Sequence, residues 1–396
     1  MKKVIFGKHL FNGKSKIDDF FLLFEDNRIL EVGSRSQYTP SDDTQILESD
    51  CCTVIPGLID THIHIFMDPK RDFSDYMGNG HNLMEFGCIA AQNARLLLEQ
   101  GIVCACDVGS PSTTGMELRE LIRKGVVFGP ELRTSGEGIC ITGGHGWILS
   151  KECDGADEVA KGVRQQIRAG ADCIKLMVSS DISSPGPEKA PCEMEFEEIS
   201  AGVREAHKKG RKVRVHTHGN TAIRQSVEAG VDSIEHGTFS DNKILQEMLK
   251  RGTYLVPTLS APYFATKVGL ARDPNNSNHL ESAKIIQQHR SIAKTAFDMG
   301  VTLAMGTDKG TPGNNYEDAL SELIFLCESG ISPQDVLTIS TINSAQLMDV
   351  DQDYGTLEPG KMASFIILDK NPMEDIQNIY GPHTVFHKGQ QVYSSR

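Results

Sequence analysis

The stretch "VIPGLIDTHIHIF", residues 54–66, decides how this chain is read. It is β-branched and apolar except for Asp60, Thr61 and two histidines two positions apart, His62 and His64. Side chains alternate faces along a strand, so residues i and i+2 share a face. Asp60, His62 and His64 therefore point one way, and Ile63 and Ile65 the other. Pro56 and Gly57 mark where the strand begins. Two neutral imidazoles converging on one point offer two nitrogen lone pairs, which suits a transition metal. A pair of hydrogen-bonded interior histidines has the same pattern, so the remainder of the chain decides between the two.

Downstream, one pattern recurs seven times: a helical stretch ends in glycine, and a short β-rich run follows. The glycines are Gly101, Gly125, Gly170, Gly210, Gly230, Gly252 and Gly300. Each fits the left-handed position after a helix. With "VIPGLIDTHIH" in front, eight strands alternate with helices. That predicts the α/β class and a parallel (β/α)8 TIM barrel over residues 54–349. A doubly wound open sheet is the alternative, but no GxGxxG turn follows the first strand. The two ends read as short strands with turns. Residues 1–53 and 350–396 are each too short to bury a core alone, so they are predicted to pair into one small β-sandwich domain.

The chain has 396 residues, with 40 Lys and Arg against 53 Asp and Glu, a formal charge of −13. Such an acidic chain is a poor binder of phosphate backbones, so no nucleic-acid partner is expected. "MKKVIFGKHLFNGKSK" lacks the apolar core of a signal peptide, and no run of about 18 apolar residues predicts a membrane span. Several of the ten cysteines sit in apolar runs, and Cys51 and Cys52 are adjacent. Reduced thiols in a cytoplasmic protein are the expectation, and the absence of a CxxC pair argues against a cysteine zinc site.

Active sites of such barrels form at the C-terminal ends of the strands. There the sequence sets His62 and His64 on strand one and Lys175 on strand four ("CIKLMVS"). His216 and His218 fall on strand five ("VRVHTHG"), His236 on strand six ("SIEHGT") and Asp308 on strand eight ("LAMGTD"). Convergence from five strands favours a metal centre over scattered histidines. Histidine and carboxylate ligands suit Zn2+, with Mn2+ or Co2+ as alternatives. Lys175 has two readings. It is salt-bridged or snorkels to the barrel mouth, or its desolvated amine takes up carbon dioxide and becomes a carbamate able to bridge two cations.

"GLIDTHIH", "IKLMVS", "VHTHGN", "IEHGT" and "GTD", in this order, resemble the amidohydrolase superfamily. Within it the nearest group is that of imidazolonepropionase-related and prolidase-like (Xaa-Pro dipeptidase) metal-dependent hydrolases. "ICITGGHGW", "KLMVSS" with "SSPGPE", and "GTLEPGKMASFIILDKNP" extend the likeness over nearly the whole chain. The resemblance implies two divalent metal ions: His62, His64 and Asp308 on the more buried one, His216 and His236 on the other, and N6-carboxylated Lys175 between them. His145 would contact the substrate. His218 stands where prolidase-like members often carry tyrosine, and would bind the substrate carbonyl or carboxylate. The implied reaction is hydrolysis of an amide bond in a dipeptide or N-acyl amino acid by a metal-bridging hydroxide. Asp308 would move the proton from water to the leaving amine. The implied partner is a small-molecule substrate, and the chain would form a homo-oligomer.

The alternative is a mononuclear deaminase or cyclic-imine (imidazolone-type) hydrolase. It wants a glutamate shortly after His216, where Thr217, His218, Gly219 and Asn220 stand. A carbamate or lactone hydrolase on the same centre is a further option. Asp107 is read as a buttress, Trp147 as pocket lining or packing, and Ser179, Ser180 and Ser184 as candidate substrate contacts. His207, His279, His289, His383 and His387 are read as surface residues.

Overall fold

The computed structural model describes residues 1–71, 82–182, 189–275 and 277–395. Its first strands are β1 (Lys2–Phe11), β2 (Lys16–Glu25), β3 (Arg28–Ser34), β4 (Thr44–Pro56) and β5 (Leu58–Ile63). Then come β6 (Ile102–Asp107), β7 (Glu131–Thr134), β8 (Gly138–Cys140), β9 (Ser150–Glu152) and β10 (Ile174–Met177). β11 (Val213–Thr217), β12 (Ser233–His236) and β13 (Tyr254–Val256) follow, and β14 (Phe365–Leu368), β15 (His383–His387) and β16 (Gln390–Ser394) close the chain.

Both chain ends do pair, but by hydrogen bonding they form one sheet, in the order β16-β15-β14-β4-β1-β2-β3. It is mixed: β1 runs parallel to β4 and antiparallel to β2. The sheet curls onto itself. Phe24 of β2 reaches the Phe365 ring, three strands away, at 5.5 Å, and the Phe386 ring at 6.0 Å. The expected sandwich is thus a single folded sheet with an aromatic interior. β4 continues past residue 53, since Val54, Ile55 and Pro56 pair with β14.

Two parallel sheets fill the middle of the chain, one ordered β5-β6-β7 and the other β13-β12-β11-β10-β8-β9. Helices separate most of their strands, among them α1 (Leu83–Glu99), α2 (Thr114–Arg123), α3 (Gly155–Ala169), α4 (Phe196–His207), α5 (Asn220–Ala229) and α6 (Asn242–Arg251). The seven predicted glycines all have positive φ, from 63° to 103°. The apolar core between strands and helices includes Ile63, Leu176, Val215, Ile234 and Leu323. No described helix is long and apolar enough to cross a membrane.

Strand three is split into β7 and β8, with Ser135-Gly136-Glu137 between them. The predicted eighth strand is not a regular one. Residues 302–309 still bond to both neighbours: Leu255 N–H to the Thr302 carbonyl and Ala304 N–H to the Leu255 carbonyl on one side, Thr61 N–H to the Met305 carbonyl and His64 N–H to the Lys309 carbonyl on the other. The ladder breaks because the N–H groups of Thr307 and Asp308 both reach the His62 carbonyl, and Asp308 turns to φ +55°.

Candidate metal centre

His62 lies in β5 and His64 just beyond it. Their Nε2 atoms each sit 3.2 Å from Asp308 Oδ1. The three side chains form one buried group able to hold a cation. The chain can come this close because position 306 is glycine: a Cβ there would stand 2.3 Å from Val256 Cγ1 and 2.8 Å from His62 Cβ. A second buried group joins His216, His218 and His236. His236 Nε2 faces His216 Nδ1 at 2.8 Å. The groups adjoin, with the His62 and His236 rings 5.3 Å apart.

Lys175 is 1% exposed, and its Nζ has no hydrogen-bond partner among the described residues. With no such partner the salt-bridge reading finds no support, and burial lowers the pKa of the amine to about 8. An orphaned amine, five imidazoles and a carboxylate gathered in a buried space fit divalent ions as donor set. Burial works against the Asp308 charge, but His62 and His64 outweigh it and hold the carboxyl well below the usual range.

Two of these rings, His62 and His236, are held from behind. His62 Nδ1 donates to Glu235 Oε2 at 2.6 Å. Glu235 is fully buried and takes Arg214 Nε at 3.1 Å and Ser233 Oγ at 2.5 Å on its other oxygen. Arg214 and His62 keep Glu235 ionised against the pull of burial. Asp60 accepts the His62 and Thr307 N–H groups at 3.1 Å each. His236 Nδ1 lies 2.6 Å from Thr258 Oγ1, and His289 Nε2 donates to the His236 carbonyl at 2.9 Å. His236, Thr258 and Asp308 all have left-handed backbone, with φ of 68°, 52° and 55°. Such strain costs about 1–3 kcal/mol per residue and persists only where the surroundings enforce it. At Asp308 they do: its carbonyl accepts Asn314 Nδ2 at 2.9 Å and Thr311 Oγ1 at 2.8 Å. Asn314 is in turn held by the buried Lys309 Nζ at 2.7 Å.

His145 stacks on His216 with ring centroids 4.1 Å apart, and its N–H donates to Glu193 Oε2 at 2.8 Å. His218 is closer to the histidine cluster than a substrate contact alone requires. It stacks on His236 at 4.5 Å and pairs through Nδ1 with Thr238 Oγ1 at 2.8 Å. Ser179 supports it, accepting the His218 N–H at 3.0 Å. Asp107 buttresses, as expected, taking the Ile65 N–H and the Thr134 hydroxyl. Trp147 is exposed. Two histidines read as surface are not: His289 and His387 are buried. Helical spacing hid the first, and the second lies in β15, whose burial depends on the curl of the sheet. Ser184 and the His279 side chain lie outside the described residues.

Parallel strands that deliver two buried histidine groups and an orphaned lysine to one place are the arrangement of a metal-dependent hydrolase. The sequence model of the amidohydrolase family matches residues 53–392, and the chain belongs to that family, whose hydrolases act on carbon–nitrogen bonds. The chain is similar to the ochratoxinase of Aspergillus niger, 28% identical in an alignment of 373 residues that covers 86% of this chain and 75% of that protein. It is also similar to the imidazolonepropionase of Symbiobacterium thermophilum, 24% identical over 383 residues, covering 88% of this chain and 83% of the other. Among solved structures, a Xaa-Pro dipeptidase with methionine bound in its active site superposes with a TM-score of 0.87 and 28% identity, over 99% of both chains.

Proposed function

We propose that the chain is a binuclear amidohydrolase that cleaves the amide bond of a dipeptide or N-acyl amino acid. One observation carries this reading: the two histidine groups adjoin, and an unpartnered buried lysine accompanies them. Its likeness to a dipeptidase and an ochratoxinase supports the amide class. His62, His64 and Asp308 would hold one ion, His216 and His236 the other, and Lys175, carboxylated on Nζ, would join them. When bound, divalent ions polarise a carbonyl and lower the pKa of water, so a nucleophile exists at neutral pH. Zinc suits this donor set, as do manganese and cobalt.

The chain's own groups do the rest. Asp308 stays ionised, accepts the proton of the attacking water and returns it to the leaving nitrogen, without which an amine leaves poorly. His145 and His218 are both shifted toward the neutral form by burial, His218 to about 3, so each keeps one N–H for the substrate carbonyl or carboxylate. Carboxylation needs the Lys175 amine unprotonated: nitrogen attacks carbon dioxide, a C–N bond forms and one proton leaves.

We also read the two parallel sheets and residues 302–309 as the staves of one (β/α)8 barrel, with its boundary to the β domain at Gly57 rather than 53. A reducing, cytoplasmic setting agrees with thiols such as Cys104, Cys140 and Cys153 buried in the interior, and a homo-oligomer with the family likeness. The test of function is amine release from dipeptides and N-acyl amino acids of varied C-terminal residue, using zinc-loaded protein with Asp308→Asn as the blank. Release in any class, absent from the blank, supports the reading. Silence across the panel transfers it to carbamates, lactones or cyclic imines.

A further inference from the structure

We infer that Glu235 is a positioning residue for the first cation, setting the tautomer and ring orientation of His62, and that Arg214 and Ser233 hold Glu235 for that task. The inference rests on the metal-centre reading above and adds to it a residue that touches neither substrate nor cation.

Neutral imidazole carries one proton, on either nitrogen, and only the bare nitrogen can ligate. In His62 one ring nitrogen, Nε2, faces Asp308 Oδ1 at 3.2 Å and the other, Nδ1, faces Glu235 Oε2 at 2.6 Å. Both carboxylates accept, and Glu235 is the nearer, so the single proton of the neutral ring belongs on Nδ1 and Nε2 is the nitrogen left for a cation shared with His64 and Asp308. The carboxylate itself cannot swing. Arg214 donates Nε to Oε1 at 3.1 Å and a terminal nitrogen to Oε2 at 3.2 Å, a two-point grip, and the Ser233 hydroxyl adds a third contact at 2.5 Å. Glu235 is 0% and Arg214 1% exposed, so no water competes for either. A buried charge pair of this kind is a weak source of stability, because desolvation offsets the attraction. Orientation of a metal-facing histidine is a function that does account for it, since such partners typically affect metal affinity 10–100-fold.

The grip is specific to one of the two groups. Glu235 contacts His62, whereas His236 is held by Thr258 and His289. Loss of Glu235 therefore affects the cation at His62, His64 and Asp308 first. A general loss of folding would release both.

The test compares two double variants in one background, because leaving Arg214 unpaired in the interior would destabilise the fold for unrelated reasons. Glu235→Gln with Arg214→Met keeps an acceptor for the Nδ1 proton, and Glu235→Leu with Arg214→Met does not. Zinc binding to the metal-free chains is measured by chelator competition, with metal counted per chain. Expected is about 10–100-fold weaker binding of one equivalent in the leucine variant, with the other equivalent kept, and recovery of most of that loss in the glutamine variant. Equal affinity in the two variants would overturn the inference. If neither variant folds, 15N NMR of the zinc-loaded wild-type chain decides: a His62 proton on Nδ1 upholds it, and one on Nε2 overturns it. A wild-type chain that binds no metal at all would instead remove the metal-centre reading beneath it.

Discussion

Thr258 Oγ1 stands 2.6 Å from His236 Nδ1 and gives its own proton to the Pro257 carbonyl at 2.7 Å. The hydroxyl has one proton to give, so toward the imidazole it accepts. That puts the His236 proton on Nδ1 and leaves Nε2 bare, facing His216. Thr258→Val is expected to weaken one zinc equivalent by about 10-fold or more, with Thr258→Ser close to wild type. Chelator competition reads both. A valine variant with unchanged affinity would remove this role.

Asp308→Asn is expected to lower kcat by roughly 10²–10⁴-fold with a smaller effect on KM, as loss of a proton-transfer group does. Steady-state kinetics with metal content matched to wild type separates this from simple loss of the ion. An unchanged kcat would contradict the proton role.

Asn314 bonds the Thr307 and Asp308 carbonyls through Nδ2 and receives Lys309 Nζ on its oxygen. All three partners are fully or mostly buried. Asn314→Leu removes these three bonds, while the Ser260, Thr311 and Ser321 hydroxyls remain as second contacts, so a loss of about 0.5–1.5 kcal/mol per bond is expected. Freed from the clamp, Asp308 relaxes from its left-handed backbone, so kcat should fall in the fraction that remains folded. Urea unfolding and kinetics at low temperature check the two parts.

Glu322 is buried behind the site, and its carboxyl oxygens accept the Leu259 and Ser260 N–H groups at 2.8 Å each. Burial raises its pKa from the usual 4.5 to about 7. Between those values the folded chain holds more protons than the unfolded one, so stability falls as pH rises through that window. The full effect is roughly 3 kcal/mol. Glu322→Gln lacks this titration. The stability difference between wild type and variant should therefore shift in favour of the variant from pH 5 to pH 8, in urea unfolding. A difference independent of pH would contradict it.

The legible part of the site was the part that obeys strand alternation and glycine punctuation. His62, His64, His216 and Asp308 follow from a period of two and from glycines that end helices. Glu235 did not. Next to His236 in a strand, it belongs on the opposite face by alternation, away from the centre. The left-handed turn at His236, φ +68°, breaks that rule and lets both residues reach inward. Thr258 and Asn314 were equally hidden, because their partners lie on other segments and no local pattern marks them. In the fold, both chain ends were seen to pair, but the curl that brings Phe24 to Phe365 depends on twist across several strands. The eighth strand was found by its glycine even though its ladder is irregular.

Two cations in one centre would act together on the amide bond. Titrating the metal-free chain with zinc while following amine release from the panel substrates tests this most directly. Activity should rise and saturate at two equivalents per chain, with none in Asp308→Asn. Full activity at one equivalent, or activity undiminished with no metal, would contradict it.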